Sequence, residues 1–396
     1  MTIPLKYVAR ISAGQSPPSS EVADLTDGLP FLQGNAEFRS AYPAPRLQCN
    51  TAPRHAQLGD VLLSVRAPVG ALNIADQPYG IGRGLCAIRA SQCDAKFLWW
   101  WLHSQRPRLD SVSTGTTYKA VTAEDVGNLP FPSLSITAQR RIADFLDAEA
   151  SRIDRLVSLR NRQLQLAVEN RGSTLDAAFR QPEHRLTRLK YLLRSRPRYG
   201  VLVPQFVDQG IRFIRVNDLL DLPGRANSLR QIPTELSAQY SRTTTQPGDV
   251  LLSVVGTMGR SAIVPPELEG ANVARAVASL RPNLNVPSEL ISIWLTTPEF
   301  MRQATEATSS DTAQPTLGME DLSNFELSWP ESAADLAKLL HVVRAAQQHY
   351  HALTRVFHAQ SRLLLERRQA LITAAVTGQF DVSTASGRNV TEGVAV

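Results

Sequence analysis

Two long segments of the chain carry a narrow apolar stripe at helical spacing. In residues 136–181 apolar side chains recur at steps of three, four and seven, and most other positions are Arg, Asp, Glu, Asn or Gln. This pattern predicts an amphipathic helix, with Thr137 as its N-cap and Pro182 beyond its end. At a rise of ~1.5 Å per residue the helix would extend about 60 Å. That length favours a paired coiled-coil helix over an ordinary core helix.

Residues 333–380 carry a similar stripe. When the first segment is shifted by 197 positions, several apolar positions of the two coincide. One segment lies mid-chain and the other near the end, so the simplest packing is an antiparallel pair. The residues predicted to pair the helices or to bind partners are Ile142, Leu146, Ile153, Leu156, Leu339, Val343, Tyr350 and Leu353.

The rest of the chain also repeats itself. The sequence GDVLLSV occurs at residues 59–65 and again at 248–254, and further matches keep the same order along both halves. Collinear matches of this kind indicate a tandem duplication. The predicted organisation is therefore five segments: a first domain (1–135), a long helix (136–181), a second domain (182–332), a second long helix (333–380) and a disordered tail (381–396).

Each predicted domain alternates short apolar runs with Gly and Pro. VLLSV at 61–65 and at 250–254 predicts a strand entered from a Gly-Asp turn, and AIR at 87–89 and SLR at 279–281 predict a second strand. The segments 96–104 and 289–297 predict one short buried helix each. The fold-class prediction is α+β: two similar domains separated by an antiparallel pair of long helices, related by a pseudo-two-fold axis.

Composition narrows the function classes. The net charge is +6, and only five of the 42 basic residues are Lys, so the rest are Arg. Arg suits phosphate and guanine contacts, although genomic base bias would give the same composition. No apolar run is long enough to span a membrane. Three cysteines without metal-ligand spacing favour free thiols in a reducing cytoplasm.

Residues 138–171, AQRRIADFLDAEASRIDRLVSLRNRQLQLAVENR, resemble the central conserved region of the specificity subunits of type I restriction–modification systems. Residues 363–382, LLLERRQALITAAVTGQFDV, resemble the distal conserved region of that family. The resemblance implies two target-recognition domains that read a bipartite sequence in double-stranded DNA. It also implies helices that dock methyltransferase and restriction subunits. Those partners would bind S-adenosylmethionine, ATP and Mg, and this chain would hold no cofactor.

Three segments per domain are candidates for DNA contact, because small, hydroxyl, amide and Arg side chains suit phosphates and base edges. Segments of this kind are equally compatible with ordinary turns. In the first domain the candidates are Gln33, Asn35, Ser64, Arg66, Gly70, Thr114, Thr116, Thr117, Tyr118 and Lys119. In the second domain they are Arg215, Asn217, Ser253, Thr257, Arg260, Ser309, Ser310 and Gln314.

Two other function classes remain as alternatives. A duplicated coiled-coil scaffold could bind protein partners without reading DNA. A self-sufficient enzyme is disfavoured, because the chain has neither a Gly-x-x-x-x-Gly-Lys-Ser/Thr loop nor an Asn/Asp-Pro-Pro-Tyr/Phe motif. No catalytic residue and no metal ligand is therefore predicted.

Overall fold

The computed structural model describes residues 1–112, 120–256, 258–308 and 315–382. The chain forms two compact units. Unit 1 comprises Met1–Arg160 and Ala359–Val396, and unit 2 comprises Asn161–His358. Each unit thus contains one globule together with a part of each long helix. No helix of the described residues has the length and apolar character needed to cross a membrane.

The first half of the chain is built from short strands, three short helices and one long helix. Its strands are β1 (Thr2–Pro4), β2 (Ala9–Ala13), β3 (Ala23–Asp24), β4 (Pro30–Leu32), β5 (Leu47–Gln48), β6 (His55–Ala56), β7 (Val61–Ser64), β8 (Leu72–Ile74), β9 (Tyr79–Ile81), β10 (Leu85–Ala90) and β11 (Pro130–Pro132). Its helices are α1 (Ala95–Ser104), α2 (Arg106–Val112), α3 (Ala123–Gly127) and the long helix α4 (Ile136–Phe179), with 3-10 turns at Leu5–Tyr7 and Ser19–Glu21.

The second half has the same kinds of element in a similar order. Its strands are β12 (Arg185–Arg188), β13 (Arg198–Tyr199), β14 (Ile211–Ile214), β15 (Gln231–Ile232), β16 (Val250–Ser253), β17 (Ser261–Ile263), β18 (Asn272–Val273), β19 (Val277–Leu280) and β20 (Glu326–Trp329). Its α-helices are α5 (Leu222–Arg225), α6 (Thr234–Gln239), α7 (Ser288–Trp294), α8 (Pro298–Thr308), α9 (Met319–Asn324) and the long helix α10 (Ala333–Thr377). Its 3-10 turns are Leu189–Leu192, Val216–Asp221, Ser241–Thr243 and Pro266–Leu268.

The sheets of the two globules repeat one topology. A four-stranded sheet has the order β2-β10-β7-β8 in unit 1 and β13-β19-β16-β17 in unit 2. The strands that open and close each globule pair as β1-β11 and as β12-β20. A second sheet is built on a parallel pair, β4-β9 in one globule and β14-β18 in the other. The α+β class and the tandem duplication are confirmed.

Burial on both faces of the sheet explains why the repeated sequence GDVLLSV forms a strand in each half. All four residues of β7 and of β16 are buried, because helices pack on one face of the sheet and the second sheet packs on the other. The three tryptophans of α1 belong mainly to this packing, since Trp100 and Trp101 are buried. Trp100 Nε1 also donates a hydrogen bond of 2.8 Å to Asp147 Oδ1 on α4, which ties the globule to the long helix.

Within each unit the parts of α4 and α10 pack antiparallel. In unit 1, Ile153 packs against Leu371, and Val157 contacts the same cluster together with Leu364. In unit 2, Arg171 lies over the ring of Tyr350, at 5.3 Å from its centroid. Further along α4, the cluster that holds Leu175 also holds Val343 and Leu339. Residue numbers rise along one helix as they fall along the other.

The ends of the first long helix differ from those predicted. Its cap is Ser135, whose Oγ accepts a hydrogen bond of 3.2 Å from the backbone N of Ala138, and the helix already includes Thr137. The prediction of Thr137 as N-cap was wrong, because both hydroxyl residues fit the pattern and only the backbone path separates them. The helix ends at Phe179, before Pro182.

Candidate nucleic-acid interface

In unit 1, three of the segments that surround the predicted loops meet where strands β4 and β7 end and β10 begins. The backbone N of Val65, just after β7, donates to the carbonyl of Gly84 at 3.0 Å. The backbone N of Gly82 donates to the carbonyl of Leu32, at the end of β4, at 2.8 Å. The residues that follow β4 and β7 therefore lie on either side of the turn 82–85.

These segments enclose an open cleft of about 310 Å³. Four of the residues predicted to contact DNA line it, namely Gln33, Asn35, Ser64 and Arg66. The same cleft is lined by Glu37 and Arg83. The structure thus brings together side chains from two of the three predicted segments of the first domain.

Ser64 and Gly70 shape the loop that carries Arg66. Ser64 is 1% exposed, and its Oγ donates to the carbonyl of Arg66 at 2.8 Å. Gly70 has a φ of 84°, which favours glycine, and its N donates to the carbonyl of Ser64 at 2.9 Å. Arg66 itself is exposed. Ser64 and Gly70 therefore hold the loop, and the guanidinium of Arg66 is free to reach a ligand.

The same three segments meet in unit 2. The backbone N of Val254, just after β16, donates to the carbonyl of Ala276 at 3.0 Å. The backbone N of Ala274 donates to the carbonyl of Ile214, at the end of β14, at 2.9 Å. Arg215 and Asn217 follow β14 directly, as Gln33 and Asn35 follow β4. The duplication therefore reproduces the backbone arrangement. The first of these two side chains differs between the units, and the second is Asn in both.

Arg215 has carboxylate partners within its own unit. Its Nε lies 3.1 Å from Oδ2 of Asp218, and Arg225 approaches the other oxygen of the same carboxylate at 3.7 Å. Asn217, by contrast, is exposed. Of the two predicted contacts after β14, the structure leaves Asn217 the more accessible.

The loops after β7 and β16 carry their predicted arginines, Arg66 and Arg260, at different positions. Ser253 is 0% exposed, and its N donates to the carbonyl of Arg260 at 2.8 Å, as the N of Ser64 donates to that of Ala71 at 2.8 Å. Arg260 is therefore the counterpart of Ala71. The counterpart of Arg66 is Val255, since these two residues make the matching bridges to Ala120 and Thr316.

The second predicted loop of each domain lies largely outside the described residues. This applies to Thr114, Thr116, Thr117, Tyr118, Lys119, Ser309, Ser310 and Gln314, and also to Thr257. The chain leaving that loop is described. The N of Val121 donates to the carbonyl of Val65 at 3.0 Å, and the N of Leu317 to that of Val254 at 2.9 Å. In each unit the residues just after the second loop therefore lie beside the residue that follows the duplicated strand.

A buried ion pair fixes the strand beneath the site in both units. In unit 1, Arg89 binds Asp60 through two hydrogen bonds of 2.7 and 2.9 Å. In unit 2, Arg281 binds Asp249 through two of 2.8 Å. Each carboxylate is almost fully buried and stands at the entrance of its strand. Bidentate Arg–carboxylate pairs combine strength with fixed geometry. Each pair therefore holds the strand that leads into the candidate recognition loop, which follows β7 in unit 1 and β16 in unit 2.

Residues 3–166 match the family model of the Type I restriction modification DNA specificity domain. The type I restriction enzyme MjaX specificity subunit of Methanocaldococcus jannaschii is 37% identical over 156 residues, which are 39% of this chain and 36% of that protein. The EcoBI specificity subunit of Escherichia coli is 25% identical over 366 residues, covering 83% of this chain and 76% of that protein.

The chain is similar to the specificity subunits of type I restriction–modification systems. The match to the M. jannaschii subunit spans just over a third of that relative's length. A chain from a structure on complex assembly and conformational transition of the type I R-M system has a TM-score of 0.68 at 20% identity, covering 96% of this chain and 98% of that one. That likeness shows the same fold.

The long helices of this chain carry the residues predicted to pair them or to bind partners. Ile142, Leu146 and Ile153 are buried in unit 1, and Leu339 and Val343 are buried in unit 2. Tyr350 and Leu353 are half-buried. Leu156 is different, because it is 38% exposed. Five of the eight predicted positions thus serve packing within their own unit.

Arg83 and Arg275 also lie at this candidate site, although neither was predicted from the sequence. Both stand at the tip of the turn around which the predicted segments converge. The signal was present: the match between AIR and SLR extends upstream, so that Arg83 and Arg275 stand six residues before Arg89 and Arg281. Glu37 was also missed, and no repeat of it in the second half would have pointed to it.

Proposed function

We propose that this chain is the DNA-reading component of a type I restriction–modification complex and that it recognises a bipartite target, one half-site per domain. The observation that carries the proposal is the site built twice on one backbone plan with different side chains. Gln33 stands where the other unit has Arg215, and Arg66 stands where it has Val255. Two domains with the same backbone arrangement and different side chains at these positions are suited to two half-sites of different sequence.

Base discrimination would come from the side chains along each cleft. Arg pairs bidentately with guanine, Gln and Asn pair with adenine, and Glu accepts from the amino group of cytosine. Arg66, Gln33 and Glu37 line the cleft of unit 1. Glu37 Oε2 is buried and has no hydrogen-bond partner among the described residues. An unpaired acceptor in a basic cleft is suited to an amino group of a base.

The long helices would bind the methyltransferase and restriction subunits. Large apolar side chains remain exposed on them: Leu156, Leu159, Leu363 and Leu365 in unit 1, and Leu166, Val168, Val342 and Val356 in unit 2. Contiguous exposed apolar patches mark interaction sites, and the proposal assigns these side chains to such patches. Under this proposal methyl transfer and cleavage belong to partners that bind S-adenosylmethionine, ATP and Mg, and the complex works in the cytoplasm on double-stranded DNA.

The exposed apolar residues also suit the second candidate function, a scaffold for protein partners that does not read DNA. Selection of bound molecules from a pool of randomised duplexes by the full-length chain separates the two. The proposal predicts two short enriched motifs at a fixed separation, with affinity that falls steeply as salt rises. A scaffold would enrich no motif and would bind partner subunits regardless.

A further inference from the structure

One exposed arginine occupies the same position in both units, at the tip of a turn between buried strands. Arg83 is exposed and its neighbours Gly82 and Gly84 are buried. Arg275 is exposed between Ala274 and Ala276. Small flanking residues leave the space around each guanidinium open to a large ligand.

The backbone of this turn is held by the same hydrogen bonds in both units. The N of Leu85 donates to the carbonyl of Gly82 at 3.0 Å, and the N of Val277 donates to that of Ala274 at 2.9 Å. Further bonds, described above, tie each turn to the end of the neighbouring parallel strand and to the recognition loop. The arginine therefore projects from a backbone that is already held by hydrogen bonds, so little backbone entropy would be lost when it binds.

The surroundings place each arginine beside the recognition loops. Arg83 lines the cleft with Gln33 and Arg66. Arg275 lies close enough to Tyr199 for its charge to oppose the rise in pKa that burial gives that phenol. The hydroxyl of Tyr199 donates to the carbonyl of Leu317 at 2.6 Å, beside the exit of the second loop.

Within the described residues neither guanidinium has a hydrogen-bonding or ionic partner, unlike Arg89, Arg281 and Arg215. Each guanidinium, carried on a held turn at the candidate site, is therefore available to bind an anion. Two exposed positions across the site differ between the units, since Gln33 corresponds to Arg215 and Arg66 to Val255, whereas this arginine does not. Base edges change with sequence and the phosphate backbone does not, so a shared residue suits the shared chemical group.

We infer that Arg83 and Arg275 are the paired phosphate anchors of the two recognition domains: each binds a DNA phosphate and sets the register in which the variable side chains meet the bases. This inference rests on the proposed function and deepens it. It assigns this pair of arginines to positioning and leaves base reading to the other side chains of each site, among them Gln33 and Arg66 in unit 1 and Asn217 in unit 2.

The test compares the full-length chain with Arg83→Gln/Arg275→Gln. Binding to a 40-base-pair mixed-sequence duplex is measured across a salt series. Each lost phosphate contact lowers the slope of log affinity against log salt by about 0.9, so the double variant should lose about 1.8. Arg83→Lys/Arg275→Lys keeps a point charge and should restore most of the slope.

The matched control is Arg10→Gln/Arg194→Gln. Both residues are exposed. Arg10 on β2 lies opposite Arg89 in the strand pairing of β2 with β10. The backbone N of Arg194 donates to the carbonyl of Arg281, just after β19. Each control residue therefore lies at the end of β10 or β19 that is away from the turn. This control should keep the wild-type slope. Thermal unfolding of every variant identifies any loss of folding.

Selection from randomised duplexes completes the design. The inference predicts that Arg83→Gln/Arg275→Gln enriches the same motifs as the wild type, at lower affinity. An unchanged salt slope in that variant, or altered motifs, would overturn the anchor assignment while wild-type DNA binding stands. Absence of salt-dependent DNA binding in the wild type would overturn the proposed function and the anchor assignment with it.

Discussion

Arg66 has an exposed guanidinium on a loop whose backbone is fixed by Ser64 and Gly70. We predict that Arg66→Ala weakens binding to the selected target by about 10- to 100-fold, the range expected from a lost base contact worth ~1–3 kcal/mol. Binding to unrelated duplexes should change far less. The measurement is the ratio of the two affinities at constant salt, with Arg108→Ala, another exposed arginine of unit 1, as control. An equal loss on both duplexes would make Arg66 a backbone contact.

Asp60 and Asp249 show how one carboxylate stabilises a whole strand. Each accepts two hydrogen bonds from its arginine and one of 2.8 Å from a backbone N three residues earlier, in Gln57 or Gln246. Replacement by Ala leaves a cation and a backbone donor unpaired. We therefore predict that each substitution lowers the free energy of unfolding by about 2–4 kcal/mol.

Amide hydrogen exchange measures this loss locally. Asp60→Ala should speed exchange most in Val61–Ser64, and Asp249→Ala should do so most in Val250–Ser253. Asp24→Ala is the control, because Asp24 is exposed on β3. Equal acceleration in both strands by either variant would contradict a separate structural role for each ion pair.

At the scale of elements, His103 on helix α1 lies near the positive charge of Arg368 on α10. Its ring packs edge-on against Trp99, and burial, with the nearby charges of Arg368 and Arg106, lowers its pKa from 6.5 to about 4. The folded state therefore binds the proton less well than the unfolded state. Stability from neutral His103 is fully present above about pH 6.5 and is lost as the pH falls toward 4, by up to ~1.4 kcal/mol per pH unit.

The corresponding measurement is thermal unfolding of the wild type and of His103→Gln between pH 7 and pH 4.5. The wild type should lose stability more steeply than the variant, because Gln does not titrate. Parallel curves for the two proteins would show that His103 is not protonated on unfolding in this range.

The two long helices combine buried and exposed leucines, and these should respond differently. Leu371 is 1% exposed and packs on Ile153, whereas Leu363 is 57% exposed. Leu371→Ala should lower the free energy of unfolding by about 2–4 kcal/mol through the cavity it leaves. Leu363→Ala should change it by less than ~0.5 kcal/mol. Urea unfolding of both variants tests the pair, and a similar loss in both would contradict the packing described.

The elements themselves were largely predictable from sequence. A proline-free stretch with a helical stripe gave helix α4, and the repeated VLLS gave β7 and β16, because periodicity reports which face is buried. The cap at Ser135 was not predictable, since Thr137 satisfies the same pattern. The site was predictable only in part. Gln33, Asn35 and Arg66 lie in repeated segments, whereas Arg83 and Arg275 lie in a turn without periodicity, and only the folded backbone shows that the segments meet there.

At the scale of the whole molecule, duplication explains the shared features and divergence explains the differences. The order of strands, the Asp–Arg pair and the arginine of the central turn recur in both units. The residue directly after the strand differs, being Gln33 after β4 and Arg215 after β14. A protein that reads two half-sites needs both properties, because the backbone of DNA is the same at each half-site and the bases are not.

The central claim, one reader per half-site, is tested most directly by selecting randomised duplexes with three proteins: the wild type, Gln33→Ala/Arg66→Ala and Asn217→Ala. The account predicts two motifs at a fixed separation for the wild type. The unit 1 variant should relax one motif, and the unit 2 variant should relax the other. A single continuous motif, or loss of both motifs in either variant, would contradict it.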